Sequence, residues 1–205
     1  MVDHSFKPSL QCQVAVNRAR GVLFQIKRSF AALTPDIFRP LYITLVRPIL
    51  EYGVQAMSPY LARDVELIEK FQHLATRMVK GFGAINQRGI PRVPYEERLR
   101  RLRLFSMSRR RLRGDLILAF SIRNGVVDLP FNDLFFPSLA ENRRGFPFNL
   151  LLPRRRILRR TNAFFVRLPS SWNRLPLNVR QAPSLSAFKK ALDKCWASVF
   201  PQHRI

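Results

Sequence analysis

Apolar side chains recur at three- and four-residue spacing through much of this chain. Between residues 9 and 32, Val14, Val16, Ala19, Val22, Leu23, Ile26 and Phe30 follow that spacing with Arg18, Arg20, Lys27 and Arg28 between them, which predicts an amphipathic helix. Thr34-Pro35-Asp36 then supplies an N-cap, a first-turn proline and an acid at the positive helix end, so a second helix is expected through Phe38, Leu41, Tyr42 and Leu45. Pro48 must kink or interrupt it, because proline donates no backbone hydrogen bond and its ring crowds the preceding turn. After Ser58-Pro59, the segment Asp64 to Phe82 places Val65, Ile68, Phe71, Ala75, Met78, Val79 and Phe82 on one stripe. That stripe predicts the cleanest helix of the chain.

Gly81, Gly83, Gly89, Pro91 and Pro94 break the pattern, which sets the expected boundary between two lobes, residues 1–83 and 84–205. Beyond it, 94–104 and 106–124 read as short helices, the second stopped by Asn124-Gly125. Residues 126–160 are rich in Pro, Phe and Arg without a helical period, so loops and a short hairpin around Phe146 to Leu158 are expected. A helical turn or short helix is expected around Trp172. Ser184 should cap a final helix whose stripe is Leu185, Phe188, Leu192, Trp196 and Val199. The fold class is therefore mainly α, with an irregular or short-hairpin segment in the second lobe.

Charge changes this picture most. The 205 residues carry 36 Lys+Arg against 13 Asp+Glu, a formal net charge of +23, while the 47% hydrophobic content suffices for a core. Residues 1–90 hold 12 basic and 6 acidic side chains and residues 91–205 hold 24 and 7, so the second lobe is the more basic. Such an excess asks for a polyanionic partner. Of the basic residues 29 are Arg, whose planar fork suits phosphate, and this favours nucleic acid over an acidic membrane. Cys12 and Cys195 stand far apart and His4, His73 and His203 are scattered, so no metal-ligand spacing and no disulfide framework is present. No signal-peptide core is visible at residues 1–8, and an intracellular, reducing setting is the expectation. The longest apolar stretch, Leu116 to Ile122, is far short of the roughly 20 residues that span a bilayer.

Two arginine runs are the candidate binding residues. Arg98, Arg100, Arg101, Arg103, Arg109, Arg110, Arg111 and Arg113 are interleaved with Leu99, Leu102, Leu104 and Leu112, which would anchor the helices to a core. Glu96 and Glu97 can pair with Arg100 and Arg101, but Asp115 is the only acid close in sequence to residues 109–113, so a phosphate-facing surface is expected there. The second run, Arg154, Arg155, Arg156, Arg159 and Arg160, follows Phe135, Phe136, Phe146 and Phe148. Cations beside exposed rings suit single-stranded nucleic acid, whereas buried rings make an ordinary core, and the core reading is preferred for these phenylalanines. His73, Trp172 and Trp196 are likewise read as packing residues.

Catalytic patterns are missing from the sequence. Template-directed polymerisation needs converging carboxylates that hold two metal ions, and no adjacent Asp-Asp pair occurs. Asp64, Glu66 and Glu69 read as charges near a helix N-terminus. No GxSxG, HExxH or GxxxxGK[ST] is present, so the chain is expected to have no enzymatic activity and to need no cofactor.

The string Leu41-Tyr42-Ile43-Thr44-Leu45-Val46-Arg47-Pro48-Ile49-Leu50-Glu51-Tyr52-Gly53, followed by Ser58-Pro59-Tyr60, resembles the segment just after the palm in jockey-like and chicken-repeat-type non-LTR retrotransposon reverse transcriptases. The order of later strings matches too: Ile68-Glu69-Lys70-Phe71-Gln72, Glu97-Arg98-Leu99, Arg110-Arg111-Leu112-Arg113-Gly114-Asp115-Leu116, Trp172-Asn173-Arg174-Leu175-Pro176 and Ala182-Pro183-Ser184-Leu185-Ser186-Ala187-Phe188-Lys189. The likeness runs from about residue 7 to 194, with Met57 where that family usually shows tryptophan and Pro169 in a stretch that is usually helical. It implies a thumb-like lobe over residues 1–83 and a basic C-terminal lobe over 84–205. Together these would grip primer–template or element RNA in a ribonucleoprotein of the nucleus or cytoplasm. The resemblance also implies that the catalytic aspartates and their Mg belong to polymerase domains upstream, and that apolar Val46, Ile49, Leu50 and Tyr52 would be left exposed without a palm. Two rival readings of the same charge are an unrelated free-standing basic RNA- or DNA-binding protein, and a membrane-surface protein using residues 98–113 as an amphipathic helix.

Overall fold

Ser9–Ser29 forms α1, with Cys12, Val16, Ala19, Leu23 and Ile26 turned inward at helical spacing. The computed structural model describes residues 8–53, 55, 58–83, 93–135, 149–151 and 162–200. Within them the chain is mainly helical, with no strand element. The expected hairpin over 146–158 falls largely outside the described residues.

The described residues divide into two units, with the boundary between Arg110 and Arg111. In the first, α2 (Pro35–Leu41) leads into a π-helical turn (Tyr42–Val46) and then α3 (Arg47–Glu51). Thr34 stands at the N-cap of α2, but its side chain makes no capping bond. Pro48 does interrupt the helix as expected, and the wide turn is how. Arg47 N–H donates to Tyr42 O, five residues back, just before the residue that lacks a donor, and Thr44 Oγ1 donates to Pro40 O at 2.8 Å. α4 (Ala62–Arg77) ends earlier than the stripe suggests, yet Val79 and Phe82 stay buried through a turn that passes Gly81 at φ +85°. α1 and α4 run parallel: Ser9 Oγ donates to Asp64 at one end, and Lys80 N–H to Leu33 O at the other.

α5 (Tyr95–Leu102) and the start of α6 (Met107–Arg123) belong to the first unit, and this moves the boundary expected at residues 83/84. The reason is packing. Leu99, Leu102, Leu104 and Met107 sit in the same core as Val16, Leu23, Phe38, Tyr42, Ile68 and Phe71. Glycines and prolines stop helices, but burial decides which unit a helix joins. The fate of the residues expected to face a missing palm follows the same logic. Val46 and Leu50 are core, Ile49 is half-buried against it, and only Tyr52, 79% exposed, matches the expectation.

The second unit contains the remainder of α6, α7 (Phe131–Leu134), α8 (Phe164–Asn173), α9 (Leu177–Arg180) and α10 (Leu185–Val199). Its core joins Leu116, Phe120, Phe135, Leu168, Trp172, Phe188, Leu192, Trp196 and Phe200, with the Phe120 and Phe188 rings stacked at 4.3 Å. Both tryptophans are packing residues, as is Phe135. Pro169 lies inside α8 and is buried there. Ser184 caps α10 as expected, its Oγ accepting from Ala187 N–H. α6 ends in a turn through Gly125 at φ +66°, with Val126 N–H returning to Ser121 O.

Candidate nucleic-acid interface

The first arginine run is only partly a surface. Arg98 is 2% exposed: Nη1 donates to His73 O and Thr76 Oγ1, and the guanidinium lies over the Tyr95 ring at 5.3 Å. It bolts α5 to α4. Arg110 places Nε and Nη2 on both oxygens of Glu51, and Arg113 does the same with Asp193. Arg111 is buried and contributes positive charge at Asp115, which Arg167 grips with both donors. Arg109 stacks over Phe105 at 3.8 Å.

Of the run expected to face phosphate, Arg98 and Arg111 are thus buried, and Arg110 and Arg113 are half-buried and engaged by carboxylates. The sequence shows Asp115 as the sole nearby acid, but the fold brings Glu51 and Asp193 to Arg110 and Arg113 from 59 and 80 residues away. Arg47 also reaches Glu51, at 3.8 Å. Glu69 differs from its expected role as well. Oε2 accepts from Met107 N–H at 3.1 Å, so this acid of α4 receives the N-terminus of α6, while Oε1 accepts from the Tyr95 hydroxyl.

What stays exposed in that run is Arg100, Arg101 and Arg103. Arg100 and Arg101 share Glu97, whose carboxyl their hydrogen bonds hold down at a pKa of about 2. Arg101 also lies over the Phe82 ring. Arg103 ends α5 in the left-handed conformation, φ 50°, with its side chain in solvent. Arg154, Arg155, Arg156, Arg159 and Arg160, with Phe136, Phe146 and Phe148, lie outside the described residues.

A second cationic surface was not singled out in the sequence. α1 contains no acid, and Arg18, Arg20, Lys27 and Arg28 are all exposed. Phe24, 44% exposed, sits one helical turn from Arg20, Lys27 and Arg28. Because α1 and α4 are parallel, Lys27 and Arg28 share one end of the first unit with exposed Arg77 and Lys80. Cations there complement two helix carboxyl ends, which accounts for part of the clustering but not for Arg20 or the exposed ring. The sequence signal was available: an uninterrupted run without Asp or Glu between Asp3 and Asp36.

His73 stacks on Tyr95 at 3.4 Å between centroids, and burial, then Arg98 and Arg77, push its pKa below the usual value. It is a packing residue. Among the described residues no group of His, Cys, Asp and Glu could hold a metal ion, and no helix is long and apolar enough to cross a membrane. No family model, curated protein or solved structure matches the chain.

Proposed function

We propose that the chain binds nucleic acid through its backbone phosphates, without reading base sequence and without chemistry of its own. The observation that carries this is the acid-free exposed face of α1, where Arg20, Lys27 and Arg28 surround a half-exposed Phe24. Cations for phosphate around a ring for a base is the composition of a single-strand or backbone-tracking surface. The net charge of +23 supports it further, since Glu51, Glu97, Asp115 and Asp193 are already engaged by arginines. The ordered strings from Leu41 to Lys189 support an origin in the thumb and post-thumb region of a non-LTR retrotransposon reverse transcriptase, with primer–template or element RNA as the natural ligand. Arg100, Arg101 and Arg103, and the run Arg154 to Arg160, are further contacts in this reading.

The test is anisotropy of labelled RNA, single-stranded DNA and duplex DNA of several sequences titrated with the full chain. Binding within a few-fold across sequences is expected, with no Mg-dependent primer extension. Capture by anionic vesicles with no polynucleotide binding would favour the membrane-surface reading instead.

A further inference from the structure

Gly21 stands in the middle of α1 on its exposed side, three residues before Phe24. A glycine there weakens the helix relative to alanine, because it has more backbone freedom to lose. Nothing in the fold requires it. Its φ is not positive, and beyond its chain neighbours and the backbone of its own helix no heavy atom lies within 4 Å of the point where a Cβ would stand. Phe24, 44% exposed, is the companion feature. A single exposed ring is ordinary on a protein surface, but a ring beside an open gap and among cations is not.

Helical side chains lean towards the N-terminus, over the positions three and four residues earlier. For Phe24 those positions are Gly21 and Arg20, so one side of the ring has a cation beside it and the other has a gap floored by helix backbone. At about 100° per residue, Arg20 and Lys27 fall to one side of Phe24, and Gly21 and Arg28 to the other. Arg20 and Arg28 also lie about 6 Å before and after it along the axis. A flat ring entering the gap would lie against Phe24, and a phosphate on either side of it along the helix would meet a guanidinium. No acid of α1 repels it.

We infer that Phe24 is a stacking platform for an unpaired base, with Gly21 keeping the space beside it open, so that the α1 surface takes single-stranded polynucleotide in preference to duplex. This rests on the phosphate binding proposed above and names its substrate class. In a duplex each base is covered by its neighbours and its pair, so reaching the ring costs unstacking and unpairing. A single strand presents its bases freely, while Arg20, Lys27 and Arg28 serve its phosphates as they would those of a duplex.

The experiment is anisotropy of labelled oligo-dT and of a duplex of the same length, titrated with the full chain at one salt concentration. Wild type should bind the single strand more tightly. Phe24→Ala should weaken single-strand binding about fivefold or more, the effect of one lost stacked base, and leave duplex binding little changed. Gly21→Gln keeps the ring and fills the gap. Its unfolding midpoint should not fall, glutamine being the better helix former, yet its single-strand affinity should drop, and it carries the test if Phe24→Ala does not fold. Phe24→Trp should retain the preference, and its added fluorescence should be quenched by the single strand and not by the duplex, since Trp172 and Trp196 are buried. Equal weakening of both ligands in Phe24→Ala, or unchanged single-strand affinity in Gly21→Gln, overturns the stacking platform and leaves phosphate binding standing. Binding of neither ligand by wild type overturns the proposed function itself, and the platform with it.

Discussion

Arg98 and Arg100 are two residues apart and have opposite roles. Arg98 donates from inside the fold to a carbonyl and a hydroxyl, so Arg98→Leu should remove both charged hydrogen bonds between α5 and α4 and cost about 2 to 3 kcal/mol in denaturant unfolding. Arg100→Gln should leave the midpoint unchanged, because Arg100 sits in solvent and the Glu97 it grips keeps Arg101. Equal midpoint losses in the two variants would contradict the assignment. His73 gives a pH signature. Its folded pKa lies below the unfolded 6.5, so the folded state binds the proton less readily. Stability is then full above about pH 6.5 and declines as pH falls through that value towards the folded pKa. Replacing His73 by Gln should flatten the unfolding midpoint between pH 7 and 5; a slope identical to wild type would show that another group titrates. Only part of this was legible along the chain. Charge spacing in one dimension shows Glu97 beside Arg100 and Arg101, and that pair formed, but it is blind to Glu51 and Asp193 arriving from distant helices.

Helices were far more legible, because a 3.6-residue period and a cap are local properties. The expected spans at 9–32, 94–104 and 106–124 correspond to α1, α5 and α6 within three residues at each end, and α10 starts directly after Ser184 as expected. The π-helical turn before Pro48 was legible only as an interruption, since a proline says that a donor is missing and not how the backbone will widen to absorb it. The end of α5 was not legible. Arg103 occupies a left-handed position where glycine is usual, and a β-carbon there costs up to about 1 kcal/mol. Arg103→Gly should therefore raise the unfolding midpoint, despite removing a helix-end cation, while Arg103→Val should lower it. A lower midpoint for the glycine variant would mean that the arginine side chain makes a contact worth more than the strain.

At the scale of the whole molecule the sign of the charge was readable from composition, but its placement was not. Among the described residues, Arg98, Arg109, Arg110, Arg111 and Arg113 of the dense run are buried or half-buried, while exposed cations and an exposed ring stand together on the sparser α1. Two sets of substitutions separate bracing from binding. Arg20, Lys27, Arg28 and Lys80 changed together to Gln should flatten the salt dependence of duplex binding by up to about four contacts, each worth about −0.9 in the slope of log K against log salt. Gln is a good helix former and none of the four is buried, so helicity and unfolding midpoint should hold. Arg110→Gln with Arg113→Gln should do the reverse. Each leaves a carboxylate, Glu51 or Asp193, without its bidentate partner, so stability should fall by about 1 to 3 kcal/mol at each site while the slope changes little. An unchanged slope in the fourfold variant would remove α1 from the interface and leave Arg154, Arg155, Arg156, Arg159 and Arg160 as the contacts to test. A flattened slope in the double variant at unchanged stability would mean that Arg110 and Arg113 release their acids to take phosphate, and the bracing role assigned to them here would fall.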